Sequence, residues 1–287
     1  MDNVKERFDR DGFVLVDGLF TDEEIDRLRT EMDHIVEEMD PTDHPRSIFT
    51  TTDEKKHAAD DYFLNSSDKI RYFYEEGAFD AEGKLTTSKD RALNKIGHAL
   101  HWLSPAFKEF TFSNKLKELV RAVGYSQPAV VQSMYIFKQP NIGGEVTPHY
   151  DATFLYVDPI EHLLGVWIAV DDATEENGCL WFIPGSHKVD RVSHRFVRTH
   201  AKGGENLLKF TGEKPTFDET KFIPVPVKKG SVVLIHGLVW HKSEANKSDK
   251  SRHAYTFHVV ERSDTEWSKD NWLQETPSYK FPQLFQN

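Results

Sequence analysis

The chain has 287 residues, a net charge of −11 and one cysteine, Cys179. The length suits one domain spanning 1–287, the acidic balance excludes a general phosphate-backbone coat, and a lone cysteine excludes an internal disulfide framework. No run approaches the ~18 apolar residues of a membrane span, and no secretory, transit or peroxisomal signal is read, so the expectation is a soluble cytoplasmic protein that binds no nucleic acid.

The predicted elements divide the chain into a helix-rich part (1–125), a β core (about 126–262) and a C-terminal segment (263–287). Phe13–Val16 is a short apolar run that reads as a strand. Thr21-Asp22-Glu23-Glu24 is a capping box, and Ile25, Leu28, Met32, Ile35 and Val36 follow at helical spacing. A second helix is predicted over 92–102. Ser104-Pro105 starts another, and Ser113 caps one over 115–123 that Gly124 ends.

From residue 129 the pattern changes. Short β-rich runs at 129–137, 164–170, 178–183, 231–235 and 254–260 are separated by turn residues such as Asn141-Ile142-Gly143-Gly144 and Pro184-Gly185-Ser186. Such a succession predicts a sandwich or jelly roll. The stretch 188–218 has weak periodicity and reads as a long surface insertion, of the kind that forms lids.

Chemistry concentrates at His149-Tyr150-Asp151. In a strand, residues i and i+2 share a face, ~7 Å apart, so both side chains reach one ion. His241 and His236 compete for the third position. His241, after Gly237-Leu238-Val239-Trp240, lies where the chain leaves or re-enters a sheet; His236 reads as a strand-end histidine. Two histidines and a carboxylate suit Fe(II), with open positions for a chelating cosubstrate and O2. Zinc with a water accepts the same set, so the triad alone does not choose. Arg252 begins the next apolar strand, and its planar fork matches a carboxylate, either that of 2-oxoglutarate or one of the protein's own.

Several stretches carry a resemblance beyond these residues: Asn94-Lys95-Ile96-Gly97-His98, Val131-Gln132-Ser133-Met134-Tyr135, Gly165-Val166-Trp167-Ile168, Asn177-Gly178-Cys179-Leu180-Trp181-Phe182-Ile183-Pro184-Gly185-Ser186-His187, the segment from His241 to His258, and Asn271-Trp272-Leu273-Gln274. They run in order across nearly the whole chain, which resembles the phytanoyl-CoA dioxygenase family. The resemblance implies a mainly β fold, a double-stranded β-helix (cupin-like jelly roll) buttressed by N-terminal helices. It implies His149, Asp151 and His241 as iron ligands. For 2-oxoglutarate it implies Lys95, Met134, Trp167 and Arg252, with Ser251 as a further candidate.

The activity implied is that of an Fe(II)- and 2-oxoglutarate-dependent dioxygenase. It uses O2, with ascorbate in support, to couple decarboxylation to succinate and CO2 with hydroxylation of a small or acyl-type substrate. Related halogenases lack the carboxylate ligand, so Asp151 favours hydroxylation. CoA handling is not evident as a motif, and the family's name does not name the substrate. Phytanoyl-CoA 2-hydroxylation proper and a non-catalytic metal and 2-oxoglutarate sensor stand as alternatives. The basic run Lys188, Arg191, Arg195, Arg198 and Lys202 reads either as a solvated loop or as a lid attracting an anionic, even CoA-linked, substrate. Oligomeric state is not legible.

Overall fold

The computed structural model describes residues 3–49, 61–199 and 207–286. They begin with helix α1 (Val4–Asp11), strand β1 (Phe13–Val16), helices α2 (Asp22–Glu38) and α3 (Asp61–Leu64), and strand β2 (Ile70–Tyr74). Helix α4 (Lys89–Ala92) runs into β3 (Leu93–His98), followed by α5 (Leu100–Leu103), α6 (Pro105–Thr111) and α7 (Asn114–Ala122). Strands then dominate: β4 (Pro128–Ile136), β5 (Val146–His149), β6 (Val157–Asp158), β7 (Leu163–Ala169), β8 (Leu180–Phe182), β9 (Arg195–Arg198) and β10 (Leu208–Thr211). The last are β11 (Ile223–Val225), β12 (Val232–His236), β13 (His241–Ser243), β14 (Ala254–Glu261) and β15 (Glu266–Trp267).

Among the described residues the larger sheet has the order β1-β12-β7-β14-β4-β3-β2 and the smaller one β11-β8-β13-β5. From β4 onward the chain crosses repeatedly between them, pairing antiparallel. This is the expected double-stranded β-helix, with the helices on one face of the larger sheet.

Alternation explains the layers. On β14, Tyr255, Phe257 and Val259 join the core cluster beneath the helices, while Ala254, Thr256 and His258 face the smaller sheet. On β7, Val166 and Ile168 face the helices, and Gly165 and Trp167 face the smaller sheet. Helix α2 carries the expected capping box at Thr21 and buries Ile25, Leu28, Met32 and Val36 against this core. Each contributes about 1.5–3 kcal/mol relative to exposure. Ser104 does precede a helix with Pro105 in its first turn, but its hydroxyl donates to Glu31 (2.6 Å) rather than capping. Ser113 likewise makes no capping bond.

Two expectations fail here. Most of the helix predicted over 92–102 is strand β3, paired with β2 and β4; Ala92 ends α4, and helix resumes only at Leu100–Leu103. The insertion over 188–218 is in part a hairpin of β9 and β10, with Phe196, Val197 and Leu208 buried. Residues 200–206, including Lys202, lie outside the described residues.

Candidate metal centre

His149 ends β5, and His241 begins β13 in direct register with it. The two rings lie 4.2 Å apart, centroid to centroid. Asp151 is not on the strand with His149, as expected from spacing, but opens a 3-10 turn, Asp151–Thr153, anchored where the Ala152 N–H donates to the Gly237 carbonyl (2.8 Å). The turn, not the pleat, aims the carboxylate. Its Oδ1 is 3.6 Å from Nε2 of both His149 and His241. One donor atom from each residue falls within 4.8 Å of the others.

Each histidine is oriented through its other nitrogen. His149 Nδ1 meets the Thr147 carbonyl at 2.9 Å, and His241 Nδ1 the Val239 carbonyl at 3.0 Å. A carbonyl only accepts, so Nδ1 carries the proton and Nε2 offers its lone pair inward. Burial lowers His241 to about 4, keeping that ring neutral. Burial pushes the Asp151 carboxyl up, but His258, His241 and His149 more than offset this and hold it well below the usual carboxylate range. His236 stands apart, its Nδ1 accepting from the Leu238 N–H and its ring against Phe8 and His187.

The triad opens into a cavity of about 300 Å³, which Lys95, Met134, Trp167 and Arg252 also line. Arg252 is 2% exposed, with its guanidinium 5.3 Å over the Trp167 ring. Its Nε and Nη1 find no hydrogen-bond partner among the described residues, and Nη2 makes only a 3.5 Å contact with Ser243 Oγ. Lys95, on β3, is buried over the Phe49 ring (3.2 Å) and forms no hydrogen bond or ion pair among the described residues. Burial drives its amine well below its usual range.

Ser251 does not line this cavity. It borders a separate cleft with His253 and Asp33. The serine the structure places by Arg252 is Ser243, two residues beyond His241 on β13; the sequence reading missed it.

Aromatic side chains cover the metal side. Phe154 stands edge-on to His149 (5.8 Å) and meets Phe196 and Phe210 of the hairpin at 5.8 and 6.1 Å. Arg195 and Arg198, read either as part of a solvated loop or as part of an anion-attracting lid, tie the hairpin down: Arg195 bonds Ser268 and Asn271, and Arg198 the Asn271 and Trp272 carbonyls. Cys179 is buried, its thiol raised to about 11, in keeping with a core role.

The donor set fits a divalent iron, and the fit extends to its cosubstrate. Two buried basic side chains with no ion-pair partner among the described residues, Arg252 and Lys95, share one cavity with the triad, and a buried charge without a counter-charge is costly. A dianion that chelates a metal at one end satisfies both.

Solved structures share the fold. The epimerase SnoN in complex with Fe3+, alpha ketoglutarate and nogalamycin RO superposes with a TM-score of 0.65 at 16% identity, covering 96% of this chain and 90% of that one. EctD from S. alaskensis with 2-oxoglutarate and 5-hydroxyectoine gives 0.63 at 18%, covering 98% and 82%. These likenesses show the fold, and within it His149, Asp151 and His241 form a candidate metal site. The phytanoyl-CoA dioxygenase (PhyH) family model matches residues 8–254, and the chain belongs to that family. It is 61% identical to the phytanoyl-CoA dioxygenase domain-containing protein 1 homolog of Caenorhabditis elegans over 99% of both chains. It is 50% identical to phytanoyl-CoA dioxygenase domain-containing protein 1 of Danio rerio, over 99% of this chain and 98% of that one. It is 45% identical to phytanoyl-CoA dioxygenase of Arabidopsis thaliana, over 96% and 95%.

Proposed function

We propose that this enzyme couples the oxidative decarboxylation of 2-oxoglutarate, to succinate and CO2, to hydroxylation of a small, largely apolar or acyl-type molecule. The observation that carries the reading is one cavity with the His149-Asp151-His241 triad and, apart from it, the Arg252 guanidinium, whose Nε and Nη1 have no hydrogen-bond partner among the described residues.

His149, Asp151 and His241 would hold Fe(II). Bound there with 2-oxoglutarate and O2, the metal supplies the oxidising power. The protein's part is placement. Arg252, with Ser243 at its side, holds the distal carboxylate of the cosubstrate, and Lys95 adds a second positive charge. Trp167 and Met134 pack the carbon chain between them. Phe154, Phe196 and Phe210 exclude water from the triad and give the substrate an apolar wall. No side chain is assigned as a general base. A CoA thioester is not part of the proposal, since Arg195 and Arg198 are engaged with the chain itself.

Metal removal tests the reading. Protein stripped of metal and resupplied with Fe(II), ascorbate, air and 2-oxoglutarate is expected to release succinate, and a chelator to stop it. Absence of succinate, together with absence of Fe(II)-dependent 2-oxoglutarate binding in calorimetry under nitrogen, overturns the assignment.

A further inference from the structure

The two oxygens of Asp151 have different surroundings. Oδ1 faces Nε2 of His149 and His241 at 3.6 Å each. Oδ2 faces the other way and lies 3.1 Å from Nε2 of His258. His258 sits on β14, buried, in register with Gln132 on β4. Its Nδ1 is 3.1 Å from Gln132 Nε2. As the amide is oriented, that nitrogen can only donate, so Nδ1 accepts and the ring proton sits on Nε2, pointing at Asp151.

The space for this pair is made by Gly165 on β7, which is in register with His258 from the opposite side. A Cβ at Gly165 would come within 3.2 Å of Asp151 Oδ2 and 3.6 Å of His258 Nε2. Three adjacent strands thus build a socket for the carboxylate oxygen turned away from the triad.

We propose that His258, steadied by Gln132, is a positioning residue that keeps Asp151 a one-oxygen ligand and so preserves the open face of the metal for the cosubstrate. A carboxylate free to rotate can close on a cation through both oxygens and take up a further coordination position. A donor on Oδ2 opposes that rotation. Partners of metal ligands fix ligand geometry in this way, and losing one typically costs 10–100-fold in metal affinity or activity. The inference rests on the metal-centre reading above.

The test compares wild type with His258→Leu, His258→Gln, Gln132→Leu and His149→Ala. Fe(II) affinity is measured by anaerobic calorimetry. The visible charge-transfer absorption that Fe(II) and 2-oxoglutarate give together reports the coordination around the ion. The leucine variant at 258 is expected to bind Fe(II) roughly 10–100-fold more weakly, with the absorption shifted or lost. His258→Gln, which keeps an N–H donor, is expected to recover most of both. Gln132→Leu leaves the His258 side chain in place and is expected to change both readouts in the same direction by less; it decides the matter should His258→Leu not unfold cooperatively when heated. Wild-type affinity and an unshifted absorption in the folded leucine variant overturn the proposal. A wild type that binds no Fe(II), or whose binding survives His149→Ala, overturns the metal-centre reading instead.

Discussion

Arg252→Leu is expected to be more stable than wild type when empty and to bind 2-oxoglutarate far less tightly. Burial lowers the Arg252 pKa from 12.5 to about 10, a destabilisation on the order of 3 kcal/mol at neutral pH. Nothing among the described residues offsets it with a well-formed hydrogen bond, since Nε and Nη1 are bare and the Ser243 contact is long. An apolar side chain against Trp167 removes that cost. The same change strips the cosubstrate carboxylate of its counter-charge. Truncating one partner of a buried charge pair costs 2–5 kcal/mol, or roughly thirtyfold to a few thousandfold in Kd. Thermal unfolding with and without Fe(II) and 2-oxoglutarate reads both effects. With Fe(II) present, the wild-type Tm rises further when 2-oxoglutarate is added, because the ligand binds only the folded state; the variant starts higher and gains far less from 2-oxoglutarate. A lower starting Tm with unchanged affinity makes Arg252 a structural residue and leaves the carboxylate unassigned.

How much of this was legible in sequence depends on range. Strands β4, β7, β8, β12 and β14 show as β-branched and aromatic runs between turns, the other strands after residue 128 do not, and α2 shows through its capping box and one apolar face. Strand β3 does not show. Its residues are nearly all buried, on both faces, so Leu93, Ile96 and Leu100 fall at helical spacing by accident, and periodicity cannot separate a buried strand from a buried helix. Lys95, expected on a helix, lies on β3 and lines the cavity of the triad. Ser251 was assigned to the wrong cavity because neighbours on an extended chain point to opposite sides. Ser243 follows from the same parity rule, two residues after His241 on one strand.

His149 and Asp151 stood out only as a spacing, and His241 was preferred to His236 by its place at a strand boundary and by the family resemblance; the turn at Asp151 replaces the strand geometry expected there. The socket around Asp151 Oδ2 was not legible. Gln132 and His258 meet across 126 residues of sequence, and only the β4–β14 register brings them together. Gly165 lies within a quoted motif, but its role is an absence of side chain, which becomes visible only once the carboxylate beside it has been placed.

Raising the pH from 7 to 9 is expected to stabilise the empty protein, and 2-oxoglutarate is expected to abolish that dependence. Lys138 also lines the cavity, its Nζ donating to the Gly144 carbonyl at 2.7 Å. Burial, and then Arg252, lower its pKa from 10.5 to about 7. Between those values the unfolded chain holds a proton that the folded one has released, so unfolding free energy rises with pH, by up to about 1.4 kcal/mol per pH unit. Below pH 7 the amine is charged in both states and the full cost of burying it applies. Lys95, lowered by burial alone, contributes with the same sign. Above pH 9 the buried Cys179 thiol, raised from 9.0 to about 11, opposes the trend, which confines the clean window to 7–9. Urea unfolding at pH 7, 8 and 9 should show the slope in wild type and a smaller one in Lys138→Met. A bound dianion supplies the missing counter-charge and favours the protonated amines, so binding at pH 8–9 should take up protons. Calorimetry in two buffers of different ionisation enthalpy measures that uptake directly. A flat stability profile with no uptake would mean that the cavity cations are already neutralised within the protein, leaving the cosubstrate no electrostatic reason to bind there.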